Sequence, residues 1–101
     1  MENRLMVQDG HLLAVFNSAH RIMKAESILK GRGLPILLIP APRALSTDCG
    51  LALRFTDEEF DSIMEILTQE NVLPAYVNRR INFEKYELIW NGENSIPLLH
   101  S

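Results

Sequence analysis

Short apolar runs alternate along this chain with amphipathic segments. Four of the runs are six or seven residues long and predict buried strands: residues 11–16 (HLLAVF), 34–40 (LPILLIP), 49–55 (CGLALRF) and 72–77 (VLPAYV). A proline cannot donate a hydrogen bond to a central ladder, so Pro35 and Pro40 indicate the ends of a strand or an edge of the sheet.

Two segments between these runs have helical periodicity. The first follows Ser18, a good N-cap because its side-chain oxygen can accept from the free backbone N–H groups of the first turn, and Gly31 stops it. The second follows a capping-box pattern formed by Thr56 and Glu59. Its apolar residues then recur at i, i+3, i+4 and i+7 until Asn71.

The predicted order is strand, helix, strand, strand, helix, strand, which is the ferredoxin-like split βαβ arrangement (βαββαβ) of an α+β fold. We expect a four-stranded antiparallel sheet with both helices on one face, formed by residues 11–78. Residues 1–10 are expected to be an N-terminal extension. The C-terminal tail, residues 79–101, contains FEKYELIW, where Tyr86, Leu88 and Trp90 alternate along the chain and could add a fifth, edge strand.

Composition narrows the class of protein. The chain has 101 residues, 47% of them apolar, so it is long enough for one domain with a single core. Its net charge is −3 and it lacks a basic cluster, which argues against nucleic-acid binding. We find no apolar run long enough to cross a bilayer and no signal peptide, and therefore expect a cytoplasmic protein without a membrane partner. The three histidines lack metal-ligand spacing and the single cysteine cannot form a multi-thiolate site, so we expect no metal and no cofactor.

That cysteine, Cys49, stands at the end of a loop with the sequence PAPRALSTDCG. In the predicted topology the loop between the second and third strands lies at one end of the sheet. The first helix starts at the same end. Cys49 should therefore lie beside Asn17 and Ser18. Unpaired N–H groups and the helix dipole favour an anion at that place, such as a thiolate.

Other residues of the loop bear on this thiol in opposite ways. Arg43 adds positive charge, Asp48 disfavours a neighbouring thiolate, and Gly50 would let a reactant approach closely. Ser46 and Thr47 are expected to be turn residues that hydrogen-bond their own backbone. A lone cysteine is also often a small buried hydrophobe, so position alone leaves a reactive and a structural role for Cys49 equally open.

Two segments resemble a known bacterial family, the putative selenium/sulfur carrier protein-like domain. They are VFNSAHRIMKAE (15–26) and PAPRALSTDCGLALRF (40–55), and the resemblance covers about residues 12–77. Its specific part consists of five residues in the second segment: Pro42, Arg43, Ser46, Cys49 and Gly50.

The resemblance implies a carrier that holds sulfur or selenium on Cys49 as a persulfide or selenosulfide. The atom would come from a donor such as a cysteine desulfurase and pass to an acceptor protein. Arg43 and the start of the first helix would stabilise the terminal anion. The residues expected to surround the thiol are Asn17, Ser18, Arg43, Ser46 and Gly50.

Two other functions remain open from the sequence. One is a non-catalytic ferredoxin-like module that binds a partner or a small ligand through its open sheet face, with Cys49 only structural. The other is a thiol-dependent transferase, which is the weakest because no base, oxyanion site or second nucleophile is evident. The sequence leaves open the oligomeric state and the choice between sulfur and selenium.

Overall fold

A computed structural model of the chain describes residues 6–45 and 47–92. They form an α+β fold with two helices and a five-stranded antiparallel sheet of order β2-β3-β1-β4-β5. No helix in this part of the chain is long and apolar enough to span a bilayer. The elements are, in chain order, β1 (Leu12–Val15), α1 (Ala19–Gly31), β2 (Leu37–Pro40), β3 (Leu51–Phe55), α2 (Phe60–Gln69), β4 (Tyr76–Asn82) and β5 (Lys85–Asn91).

The predicted order of the first six elements is confirmed, and the predicted sheet of four strands is corrected to five. β5 lies in the alternating C-terminal segment and pairs with β4. β2 is the other edge strand, and it ends at Pro40. Both edge positions follow from the sequence, because proline is tolerated at a sheet edge and the tail alternates with period two.

The fourth strand begins at Tyr76 and not, as predicted, at Val72. Val72 and Pro74 are buried, so this apolar run packs into the core before the ladder starts. Pro74 has no N–H to donate, and the first rung is made by Ala75, whose N–H donates to the last carbonyl of β1 at 2.7 Å. β4 pairs with β1 from Tyr76 to Arg79, and its pairing with β5 extends it to Asn82.

The predicted capping box at the start of α2 is wrong. A 3₁₀ turn, Asp57–Glu59, precedes the helix, and neither Thr56 nor Glu59 makes a side-chain cap hydrogen bond. The Glu59 N–H donates instead to the carbonyl of Thr56 at 3.0 Å, the i→i+3 bond of a tighter turn. The Asp57 carboxylate accepts from Arg79 at 2.6 Å, so it is also drawn away from the helix terminus.

The two faces of the sheet are covered differently. Both helices pack on one face, here called the helix face, and the other is called the helix-free face. The helix-face core is formed by residues that are almost fully buried: Leu12, Ala14, Phe16, Ile22, Ala25, Leu29, Leu53, Phe55, Ile63, Leu67 and Val77. The helix-free face carries a smaller cluster: Val7, Leu13, Val15, Ile39, Leu45 and Ala52.

The N-terminal segment, residues 6–10, lies across the helix-free face. Two arginines of the sheet hold its backbone, since Arg54 donates to the carbonyl of Met6 and Arg80 donates to the carbonyl of Val7. Val7 is buried in the cluster beneath it. This part of the sheet is therefore covered by the N-terminal segment.

Candidate functional site

The loop of residues 41–50 is fixed at the end of the β2–β3 hairpin. The N–H of Ala41 donates to the carbonyl of Gly50 at 2.8 Å, one step beyond the last strand pair, Pro40 with Leu51. Within the loop, the N–H of Leu45 donates to the carbonyl of Pro42 at 3.0 Å and forms a tight turn. Both ends of the loop are thus set by backbone hydrogen bonds.

The loop sends two side chains to opposite faces of the sheet. Leu45 is only 6% exposed and packs in the cluster of the helix-free face. Cys49 is half-buried and packs against the helix-face core, as does Leu51 two residues later. The thiol therefore lies on the helix side of the loop.

Weak contacts hold the Cys49 thiol, which is free of any disulfide. Its Sγ lies 3.6 Å from the Thr47 hydroxyl oxygen and can donate to the carbonyl of Leu51 at 3.7 Å. The Cys49 N–H donates to Thr47 Oγ1 at 3.3 Å, which confirms Thr47 as a turn residue that bonds its own backbone. A thiol is a weak donor and a weak acceptor, so a reactant could displace these contacts at small cost.

Gly50 is required by its backbone conformation. Its φ of +74° lies in the left-handed region, which residues with a Cβ rarely adopt. A Cβ built on Gly50 would meet nothing within 4 Å, so packing does not demand glycine here. The space next to Cys49 on this side is open.

The start of α1 lies at the same end of the sheet as the thiol. Ser18 caps the helix as predicted, because its Oγ accepts from the N–H of Arg21 at 3.2 Å. The last β1–β3 pair is Ala14 with Leu53, so the end of β1 that leads into α1 lies beside the start of β3, which follows Cys49. The first turn of α1 contains no acidic side chain that would neutralise the helix dipole.

The remaining predicted residues take different positions. Arg43 is exposed and lines, together with Pro42, a pocket on the helix-free face. Asp48 is exposed, and its charge adds to burial in raising the pKa of Tyr76. Ser46 lies outside the described residues.

The structure therefore brings Cys49 and Gly50 to the end of the sheet where α1 starts, and it places Arg43 on the opposite face. The predicted role of Arg43 at the thiol stays a prediction. Leu45 was not identified from the sequence as the residue that anchors the loop. Its presence as a lone leucine among small and polar loop residues could have indicated this role. Within residues 6–45 and 47–92, no three His, Cys, Asp or Glu side chains form a group that could hold a metal ion.

A comparison with family models decides which family this is. The model described as putative Se/S carrier protein-like matches residues 11–78. The chain belongs to this family. The match contains the capped start of α1, the whole of loop 41–50 and Cys49, and it ends within β4. The resemblance noted in the sequence is thereby confirmed, while curated proteins and solved structures give no match to this chain.

The family description names a carrier of selenium or sulfur. Such a description is consistent with a protein that is not an enzyme and that works with protein partners.

Proposed function

We propose that this protein carries a sulfur or selenium atom on Cys49, as a persulfide or a selenosulfide. The observation that supports this most is the family match, which includes the only cysteine of the chain. The structure adds that this cysteine is free, half-buried and held by weak contacts at the end of a fixed hairpin. A carrier needs one reactive thiol and no catalytic base of its own, because the donor supplies the activated sulfur and the acceptor supplies the nucleophile for the next step.

The transfer cycle is balanced without an added oxidant. In loading, the Cys49 thiolate attacks the terminal sulfur of a donor persulfide, for example on a cysteine desulfurase. A new S–S bond forms on Cys49, the S–S bond of the donor breaks, and the donor cysteine leaves as a thiolate. In unloading, a nucleophile of the acceptor protein attacks the terminal sulfur and Cys49 leaves as a thiolate. Selenium would follow the same steps with an S–Se bond.

The start of α1 is the proposed stabiliser of the terminal anion. Asn17 and Ser18 precede a first turn without acidic side chains, and the partial positive charge of a helix N-terminus favours an anion. The Thr47 hydroxyl lies beside Cys49 Sγ, and Gly50 leaves open space for a partner's nucleophile.

Ser46 and Arg43 complete the proposed site. Ser46 is included because it belongs to the family-like segment of the loop. The support for Arg43 at the thiol is weaker, because its side chain lines a pocket on the other face of the sheet. A second role for Arg43 is argued below.

Fold and location are part of the same proposal. The order β2-β3-β1-β4, with a helix in each of the two crossovers, supports a ferredoxin-like arrangement to which β5 adds an edge strand. A cytoplasmic location belongs to the proposal because a carrier thiol has to stay reduced between cycles, which a reducing compartment favours.

Intact-mass measurement after incubation with a cysteine desulfurase and cysteine tests the carrier chemistry. We expect an adduct of about 32 Da for one sulfur, or about 79 Da with a selenium donor, and its removal by a thiol reductant. The Cys49→Ser variant should acquire no adduct, and wild type alkylated beforehand serves as the matched control. Failure of the wild type to gain mass, while the desulfurase itself is persulfidated in the same sample, would contradict the proposal.

A further inference from the structure

A pocket on the helix-free face is lined by none of the residues that contact the Cys49 thiol. Its volume is about 270 Å³. Small-molecule sites typically have volumes of roughly 300–1,000 Å³, so this pocket suits a small ligand. We propose that it binds a small carboxylate with an apolar body. The proposal rests on other residues than Cys49 and does not depend on the carrier function.

Three separate segments give the pocket apolar walls. Val7 comes from the N-terminal segment, Ile39 and Pro42 from the end of β2 and the loop after it, and Phe83 and Tyr86 from the β4–β5 hairpin. Phe83 is 66% exposed, although its side chain is one of the largest apolar groups on this face. A ligand with an apolar body would remove part of that ring from water and gain free energy in proportion to the buried area.

Among residues 6–45 and 47–92, the charged residues that line the pocket are both arginines, Arg43 and Arg80. This runs against the average charge of the chain, which is −3 overall. Arg80 is already engaged, because its Nε donates to the Asp9 carboxylate at 3.0 Å and another N–H donates to the carbonyl of Val7. Arg43 is exposed, and no residue within 6–45 and 47–92 hydrogen-bonds or ion-pairs with it. Arg43 is therefore the cation available to a ligand.

The electrostatic balance favours a single carboxylate. Because Asp9 neutralises Arg80, the pocket retains about one positive charge, that of Arg43. The planar guanidinium of Arg43 can donate two parallel hydrogen bonds to the two oxygens of a carboxylate. Burial raises the pKa of Tyr86, with Arg80 opposing the effect and Asp9 adding to it. Its hydroxyl thus remains protonated at neutral pH and can act as a second donor. Inorganic anions would satisfy the charge but leave the apolar walls in water.

Titration of ¹⁵N-labelled protein, followed by amide chemical shifts, tests the proposal with 3-phenylpropionate and hexanoate as probes. We expect saturable shifts at residues that line the pocket, with a dissociation constant on the order of a few millimolar or tighter for a ligand of about ten non-hydrogen atoms. The uncharged amide, 3-phenylpropionamide, and inorganic sulfate should each bind at least about fivefold more weakly, because one lacks the charge and the other lacks the apolar body.

Matched variants locate the effect. Arg43→Gln should weaken 3-phenylpropionate binding at least about fivefold, since it removes a charge-assisted hydrogen bond. Lys24→Gln makes the same change in charge at an exposed position of α1 and should leave the affinity unchanged. Cys49→Ser should also bind the probe like wild type, so that a failure of sulfur loading and a failure of pocket binding can be told apart.

Three results would overturn the proposal. The first is the absence of saturable shifts with both carboxylates. The second is equal affinity for 3-phenylpropionate and its amide, which would leave Arg43 without a role. The third is a set of pocket shifts that disappears on dilution of the protein alone, which would make the pocket a contact between two copies of the chain.

Discussion

The thiol site and the pocket lie on opposite faces of one sheet and are built in different ways. The surroundings of Cys49 are local in sequence, because Thr47, Gly50 and Leu51 lie within two residues of it. The pocket is assembled from distant segments, and the bond from Arg80 to Val7 spans 73 residues. Contacts between residues close in sequence can be predicted from a sequence motif. Contacts between side chains of distant segments, which meet only in the folded sheet, cannot be predicted in this way.

The two regions share one structural element, loop 41–50. The loop begins beside the pocket with Pro42 and Arg43 and ends at the thiol, and between them Leu45 packs into the helix-free face. Removing the Leu45 side chain should therefore loosen both the pocket and the surroundings of Cys49. A change near one end of the loop should affect only the region at that end.

The largest effect is expected from Leu45→Ala. Truncating a leucine that is 6% exposed should lower the free energy of unfolding by about 2–4 kcal/mol, through lost burial and a residual cavity. Urea denaturation measures this, and alkylation of Cys49 measures the loosening of the loop. Leu88→Ala is the matched control, because Leu88 is 50% exposed and its truncation should cost no more than about 0.5 kcal/mol. Equal costs for the two variants would show that Leu45 does not anchor the loop.

A smaller effect, confined to the thiol end, is expected from Gly50→Ala. An alanine forced to keep a φ of +74° should lower the free energy of unfolding by about 1–2 kcal/mol, although its methyl group meets no neighbour. The measurement is again urea denaturation, together with the rate of Cys49 alkylation.

Gly31→Ala is a control of opposite expected sign. Gly31 also has open space around it, but it is helical and has no positive φ, so alanine there should be neutral or stabilising by up to about 1 kcal/mol. If both variants lost the same stability, the left-handed backbone at Gly50 would not be the cause.

Much of the fold could be predicted because apolar periodicity reports burial. The two helices and the order of the first six elements follow from it, and the edge position of β2 follows from its prolines. The bounds of β4 could not be predicted in this way. Its last five residues, Asn78 to Asn82, are polar except for Ile81. They form a strand because β5 pairs along them and β1 pairs with Asn78 and Arg79. The false capping box at Thr56 has a similar origin, since Arg79 engages Asp57 from 22 residues away.

The position of loop 41–50 could be predicted from the sequence, whereas the surroundings of its side chains could not. Topology placed the loop at the correct end of the sheet, and Ser18 was recognised as a cap from its residue type. The face on which Arg43 lies could not be read from the sequence, because that depends on the path of the chain between Pro42 and Leu45. The pocket was not predicted at all, since nothing in the sequence of residues 6–10 indicates that Arg54 and Arg80 hold this segment on the sheet.

The smallest expected effect concerns the pocket side and its covering segment. His11 Nδ1 accepts from the N–H of Gln8 at 2.9 Å, which steadies the turn between the N-terminal segment and β1. Burial lowers the pKa of His11 below its ordinary value of 6.5, and the positive charges of Arg54 and Arg80 lower it further. The unfolded chain therefore takes up the proton first as the pH falls. The stability that neutral His11 contributes is complete above the unfolded pKa and is lost as the pH falls through the folded value.

His11→Asn tests this, because the amide oxygen can replace Nδ1 as the acceptor for Gln8 and has no proton to gain. Between about pH 7.5 and about pH 5, wild type should lose more stability than this variant, and the amide of Gln8 should lose more of its protection from hydrogen exchange. Both proteins contain the same carboxylates, so the contribution of these groups cancels when the loss of stability of the variant is subtracted from that of wild type. Equal losses would mean that the N-terminal segment is held by Arg54 and Arg80 alone, in which case the cover of the pocket would not respond to the charge on His11.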